Sequence, residues 1–177
     1  MLVNLSQTLT LAASPEEAWS LVRDARRMAG LIPGVEYISP SGGGSEGATA
    51  CDSESSPAAS ATEKHAARVN ERVGPFRLSL NLQVSIVKAV ELSLLEAELS
   101  GSDNGGQNRL SGSLRAGLMK SEPGGTLLSL NASVEVMGKL AALGAAPIRR
   151  RANEVFGEFT GRLQAQFPTD GEQLREG

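Results

Sequence analysis

Cysteine, histidine and aromatic residues are scarce in this chain, and each shortage removes a class of function. Cys51 is the one cysteine among 177 residues, so neither an internal disulfide nor an all-cysteine metal site can form. His65 is the one histidine and has no Cys, Asp or second His at ligand spacing, so no metal site is expected and the residue reads as an ordinary strand-surface side chain. Aromatic residues make up 3%, too few for base-stacking platforms. Basic charge is not in excess: 17 Lys and Arg against 20 Asp and Glu leave a net charge of -3. A nucleic-acid binder would need a basic face to displace counterions, so nucleic acid is excluded as a general partner. No run approaches the ~20 apolar residues of a membrane span. The opening MLVNLSQTLTL has neither the positive n-region nor the continuous apolar core of a signal peptide, and a cytosolic protein is expected.

What is present is alternation. From Phe76 to Ile86, the apolar residues Phe76, Leu78, Leu80, Leu82, Val84 and Ile86 interleave with Arg77, Ser79, Asn81, Gln83 and Ser85. A period of two held that long specifies a strand with one apolar and one wet face. Such a strand needs sheet partners and a cover for its apolar face.

The partners follow in order. Val3, Leu5, Leu9 and Leu11 alternate with polar residues in an opening strand. Ser14-Pro15-Glu16-Glu17 is a capping box with proline at the first helical position, and the helix it opens turns Ala18, Trp19, Val22 and Ala25 inward. Arg23, Arg26 and Arg27 read as its solvated face. A second short helix is expected over Met28–Ile32, stopped by Pro33-Gly34, and a short strand over Val35–Ser39. From about 40 to 62 the chain is Gly, Ser and Ala with almost no large apolar residue, which reads as a mobile loop. Cys51 lies within it, with no neighbouring cation to lower its pKa.

Strands are then expected over Ala66–Val73, through Phe76–Ile86, and over Val90–Leu99, Leu110–Leu118 and Leu128–Val136, joined by Gly74-Pro75, Gly101–Gly106 and Glu122–Gly125. The apolar parity flips at Leu94-Leu95, consistent with a β-bulge or a simpler local irregularity. Sequential strands on short turns form an antiparallel meander. After Gly138, an apolar stripe runs through Leu140, Leu143, Ile148, Ala152, Val155, Phe156, Phe159, Leu163 and Phe167 at helical spacing. Pro147 interrupts it. A helix starting there would crowd Arg149, Arg150 and Arg151 at its positive end, so one helix from about Lys139, kinked near Pro147, is the preferred reading. The arginine triplet is then a solvated patch or a docking site for an acidic partner.

The order strand, two helices, six strands, long helix predicts an α+β domain over 1–167, a curved antiparallel sheet gripping the C-terminal helix, followed by a flexible tail at 168–177. The pieces Ser14-Pro15-Glu16-Glu17-Ala18-Trp19, Ile32-Pro33-Gly34, Val73-Gly74-Pro75-Phe76, Leu110-Ser111-Gly112-Ser113-Leu114 and Gly138-Lys139-Leu140-Ala141-Ala142-Leu143-Gly144 stand in the right order for a family resemblance. The chain resembles the START-like (SRPBCC) superfamily with the helix-grip fold. Within it, the chain is similar to the CoxG family of proteins associated with carbon monoxide dehydrogenase. It departs from that family in the length of the 40–62 loop and in Pro147.

The resemblance implies a non-catalytic accessory of a molybdenum hydroxylase of the CO dehydrogenase type, serving its maturation, membrane recruitment or electron delivery, with peripheral contact at the inner face of the membrane. It also implies an apolar cavity holding a lipophilic molecule, a quinone or lipid, with no covalent cofactor. On periodicity and resemblance together, Leu78, Leu80, Leu82, Leu114, Leu118, Val134, Val136, Phe156 and Phe159 would line the site, with Met28 and Ile32 as its gate. An empty rigid cavity of ~300 Å³ would cost on the order of 7 kcal/mol, so such a cavity tends to collapse or be filled. A well-packed leucine core is the alternative. Two other functions stay open: a docking protein using Arg149–Arg151 with no ligand, or a START-like cyclase or hydrolase. The second is disfavoured because no His, Asp or Glu interrupts the apolar rows of the four clearest strands.

Overall fold

The computed structural model describes residues 1–40, 63–122 and 124–167. The loop expected to run on to 62, with Cys51, lies outside the described residues, as does the tail 168–177. Seven strands form one antiparallel sheet: β1 (Leu2–Leu11), β2 (Val35–Pro40), β3 (Glu63–Val73), β4 (Phe76–Val90), β5 (Leu94–Ser102), β6 (Asn108–Ser121) and β7 (Gly125–Gly138). Their order across the sheet is β1-β7-β6-β5-β4-β3-β2. The meander thus runs from β2 to β7, and β1 closes onto the last strand. Two short helices, α1 (Pro15–Arg23) and α2 (Ala25–Leu31), connect β1 to β2, and α3 (Ala145–Ala165) follows the sheet.

The local reasons are readable in the residues. The capping box is formed, with the Glu17 N–H donating to Ser14 Oγ at 3.3 Å and the Ser14 N–H to Glu17 Oε2 at 2.9 Å. Asp24 ends α1 and caps α2 through Oδ1, which accepts from the Arg27 N–H at 3.0 Å. Alternation of apolar and polar residues gives the strands one row on the face of the sheet that α3 crosses.

Two expectations about elements are corrected. Val90, Leu92 and Leu94 do not share a strand. β4 continues to Val90 and the chain reverses through Glu91–Ser93, where Leu92 takes φ 58°. The register irregularity lies earlier, between Ile86 and Lys88. The parity flip in the sequence therefore records a hairpin turn and not a bulge at Leu94-Leu95. The C-terminal helix is also not a kinked helix from Lys139. A single 3₁₀ turn (Ala141–Leu143) precedes Gly144, and α3 starts at Ala145. Pro147 thus sits in the first turn, where its missing N–H removes no intrahelical bond.

Turn and helix are tied together by Asn108. Its Nδ2 donates to Asp103 Oδ2 at 2.7 Å, and its Oδ1 accepts the Leu140 N–H at 2.7 Å. Burial alone would raise the Asp103 pKa. The bonds from Asn108, Gln107 and Gly106 outweigh it and hold the carboxyl below its usual 3.8.

Candidate functional site

Which face of the sheet meets α3 is fixed by packing. Ala116 and Leu118 of β6 share a buried cluster with Phe159 and Leu163 of α3. By the two-residue repeat, Leu110, Gly112 and Leu114 lie on that same inner face. Leu114 is flanked across the ladders by Ala97 of β5 and Ala132 of β7. Both alanines are 7% exposed, yet Leu114 is 36% exposed. A leucine on the helix side of an interior strand would be sealed in a closed core, so solvent reaches the inner face here.

The buried apolar residues form two clusters, towards opposite ends of α3. One gathers Leu9 and Leu11 of β1, Leu21 of α1, Leu128 of β7, and Phe159 and Leu163. The other gathers Val3, Val73, Val136, Leu140 and Ile148. Leu114 belongs to neither. Around it the inner rows carry small residues: Ala97, Gly112, Ala116 and Ala132.

The residues expected to line a site divide between these regions. Met28, Ile32 and Phe156 are half-buried against the first cluster, and Leu118 and Phe159 lie inside it. Val136 is part of the second, with Leu78 and Val134 half-buried against it. Leu80 is buried and Leu82 half-buried on β4. They share the inner face without meeting at one point.

The arginine triplet divides too. Arg149 and Arg150 are exposed. Arg151 corrects the expectation of a solvated patch: its Nε donates to Glu71 Oε2 at 2.9 Å and its Nη1 to Glu154 Oε2 at 3.2 Å. The Glu71 side chain is only 12% exposed. Its hydrogen bonds to Glu71, then to Glu154, raise the Arg151 pKa above its usual value, so the guanidinium stays charged. Gly34 makes room for this pair. It takes φ +77°, and a Cβ there would lie 2.5 Å from Glu71 Oε1. Beside the pair, an open cleft of about 1040 Å³ wraps the turn end of the β3–β4 hairpin and the first turns of α3.

β3 holds a second polar group. His65 is corrected from the strand surface to the half-buried inner row, where Nδ1 lies 3.2 Å from Tyr37 Oη. Its Nε2 is buried with no hydrogen-bond partner among the described residues, 4.0 Å from Glu63 Oε2. Glu63 in turn pairs with Arg23 at 3.2 Å, so Arg23 is not free on the solvated face of α1. Sequence reasoning misses the placement of His65 and Glu71 because β3 has few large apolar residues to mark its parity. Ala67, Val69 and Val73 do share their odd-numbered row, and that is the available signal.

A curved antiparallel sheet with two short helices after the first strand and a long C-terminal helix across one face is the START/Bet v1-like helix-grip fold. Solved structures with this arrangement include a conserved protein from Geobacillus kaustophilus, 17% identical, with a TM-score of 0.70 over 93% of this chain and 95% of that one. A START superfamily protein from Mycobacterium smegmatis is 14% identical, with a TM-score of 0.58 over 93% and 96%. Ara h 8.0201 is 11% identical, with a TM-score of 0.53 over 93% and 99%. At such identities the likeness establishes the fold. No protein-family model matches the sequence, and no curated protein matches it significantly. Among the described residues, no helix is long and apolar enough to cross a membrane.

Proposed function

We propose that this protein is a non-catalytic binder or carrier of a lipophilic small molecule, quinone- or lipid-like, held between the sheet and α3. The observation that carries this reading is Leu114, 36% exposed on the inner face between two buried alanines. Small residues around it leave room, and the core is split into two clusters rather than one. A non-catalytic role is supported by the polar groups of β3. His65 and Glu71 are six residues apart on one strand, about 20 Å, too far to act on one reacting atom, and Glu63, the carboxylate beside His65, is paired with Arg23. Glu71 is also committed to Arg151.

By its likeness to the CoxG family, the chain serves as an accessory to a molybdenum hydroxylase of the CO dehydrogenase type, in maturation, membrane recruitment or electron delivery. The quinone and the partner enzyme come from that likeness alone. The test is thermal unfolding with added quinones and lipids. A ligand at 100 times its Kd should add ~2.7 kcal/mol. No shift with any of them, at concentrations well above micromolar, overturns the carrier reading. A docking protein without ligand is the second reading, favoured by the exposure of Arg149 and Arg150. Reversing both charges should then weaken capture of the partner enzyme, and unchanged capture removes that reading.

A further inference from the structure

The β3–β4 hairpin outruns its neighbours in the sheet. Pairing to β2 stops at Val69 and pairing to β5 stops at Asn81. Among the described residues, one further bond, from the Asn70 N–H to the Gly34 carbonyl at 2.8 Å, completes the lateral backbone support. Residues 70–80 are thus a two-stranded ribbon closed by Gly74-Pro75, and its tip stands about 17 Å beyond the last β4–β5 pair. A lone ribbon is marginal in water. This one is held on its inner side, where Val73 and Leu78 join the second core cluster and Glu71 pairs with Arg151.

The two sides of the tip differ in chemistry. On the outer face, away from α3, Arg72 and Arg77 stand directly opposite each other, both exposed, a like-charge pair of the kind that destabilises a ladder. Among the described residues neither has a carboxylate partner, and Arg72 Nε reaches only the Gly74 carbonyl, at 3.3 Å. Phe76 lies on the other row, in register with Val73. Val73 is 7% exposed, whereas Phe76 is 54% exposed and belongs to neither core cluster. A projecting ribbon therefore ends in a bare phenylalanine on one side and two unneutralised guanidiniums on the other, and neither side stabilises the fold.

We infer that the tip of the β3–β4 hairpin docks end-on at the surface of an anionic lipid bilayer, with Phe76 entering the boundary of head groups and acyl chains and Arg72 and Arg77 paired with lipid phosphates. This goes beyond the carrier reading and does not depend on it. An acidic protein surface would cover one side of the ribbon and leave the other in water. A bilayer interface surrounds a tip that enters it, and offers anionic and apolar layers together. Aromatic rings settle at that depth, and guanidiniums bind phosphate through paired charge-assisted hydrogen bonds. Apolar insertion and charge attraction are each weak alone and add when they act together. Phosphates between Arg72 and Arg77 would also relieve their mutual repulsion.

The test is flotation of the full chain with vesicles of phosphatidylcholine alone and of phosphatidylcholine mixed with phosphatidylglycerol. The mixed vesicles are expected to bind at least roughly tenfold more tightly, and added salt should weaken that binding. R72Q/R77Q should lose the preference while keeping its melting temperature, and the charge-preserving R72K/R77K should retain most of it. Phe76→Ser should weaken binding at every salt concentration. Phe76→Trp should keep binding, and the emission it adds to that of Trp19 should be quenched by vesicles with brominated acyl chains. Equal affinity for the two vesicles, binding to neither, or unchanged binding by R72Q/R77Q overturns the inference, as does unquenched emission from Phe76→Trp. Binding of poly-glutamate as tight as that of the mixed vesicles, and indifferent to Phe76→Ser, overturns it in favour of an acidic protein partner. None of these variants alters the inner face between the two clusters, so the thermal-unfolding test of the carrier reading stands or fails separately.

Discussion

Leu114 and Gly112 are two residues apart on one row of β6 and make opposite demands on space. At Leu114 there is room. Leu114→Trp should cost less than about 1 kcal/mol if the inner face is open, whereas overpacking a closed core costs about 1–3 kcal/mol. The same variant should reduce binding of lipophilic probes, which a thermal-shift titration would read. At Gly112 there is none: a Cβ there would collide with the Ser133 carbonyl oxygen and press on Val134 Cα at 3.0 Å. Gly112→Ala should therefore destabilise by about 1–3 kcal/mol, seen as a lower midpoint in urea. Individual residues are also where the sequence is least legible. Leu114 can be put on the inner face by counting, but its exposure depends on where α3 lies, which no local pattern encodes. His65 is hard to place from sequence because the neighbouring Ala66 and Ala67 blur the alternation that elsewhere separates the two faces.

Elements are legible wherever a chemical signal is local. The Ser14–Glu17 box, the rows of β4, β6 and β7, and the stripe of α3 all follow from spacing. Pro147 misleads because its position relative to the helix start decides its effect, and that start is set by Gly144 and a preceding turn. Since Pro147 lies in the first turn of α3, Pro147→Ala should change stability by less than about 1 kcal/mol. A proline in a kinked interior would instead cost about 3 kcal/mol. Arg151→Ala should be worse than any change at Arg149 or Arg150, by about 1–2 kcal/mol in chemical denaturation, because it strands the nearly buried Glu71. The β5–β6 turn has a pH signature. Asp103 is held below its usual 3.8, so the stability it supplies is complete above that value and is lost as pH falls through its lower folded pKa. Asp103→Asn should flatten that acid limb in a series of melts taken from neutral pH down through that range, and an unchanged slope would remove the assignment.

At the scale of the molecule, a long helix laid across a curved sheet is anchored at both ends and incompletely sealed between them. The cluster around Leu128 and Leu163 and the cluster around Val136 and Ile148 supply the anchors. Small residues at the middle of the sheet keep the two from merging. The fold is legible because element order and alternation leave few ways to cover one apolar face. The ligand is not, because apolar rows look alike whether they face a helix or a bound molecule. The most direct test is native mass spectrometry of gently purified protein, with organic extraction of the same sample. The expected result is a discrete added mass that extracts as a lipophilic molecule. A bare polypeptide mass, together with a melting temperature that no quinone, lipid or fatty acid raises, would contradict a ligand-holding interior.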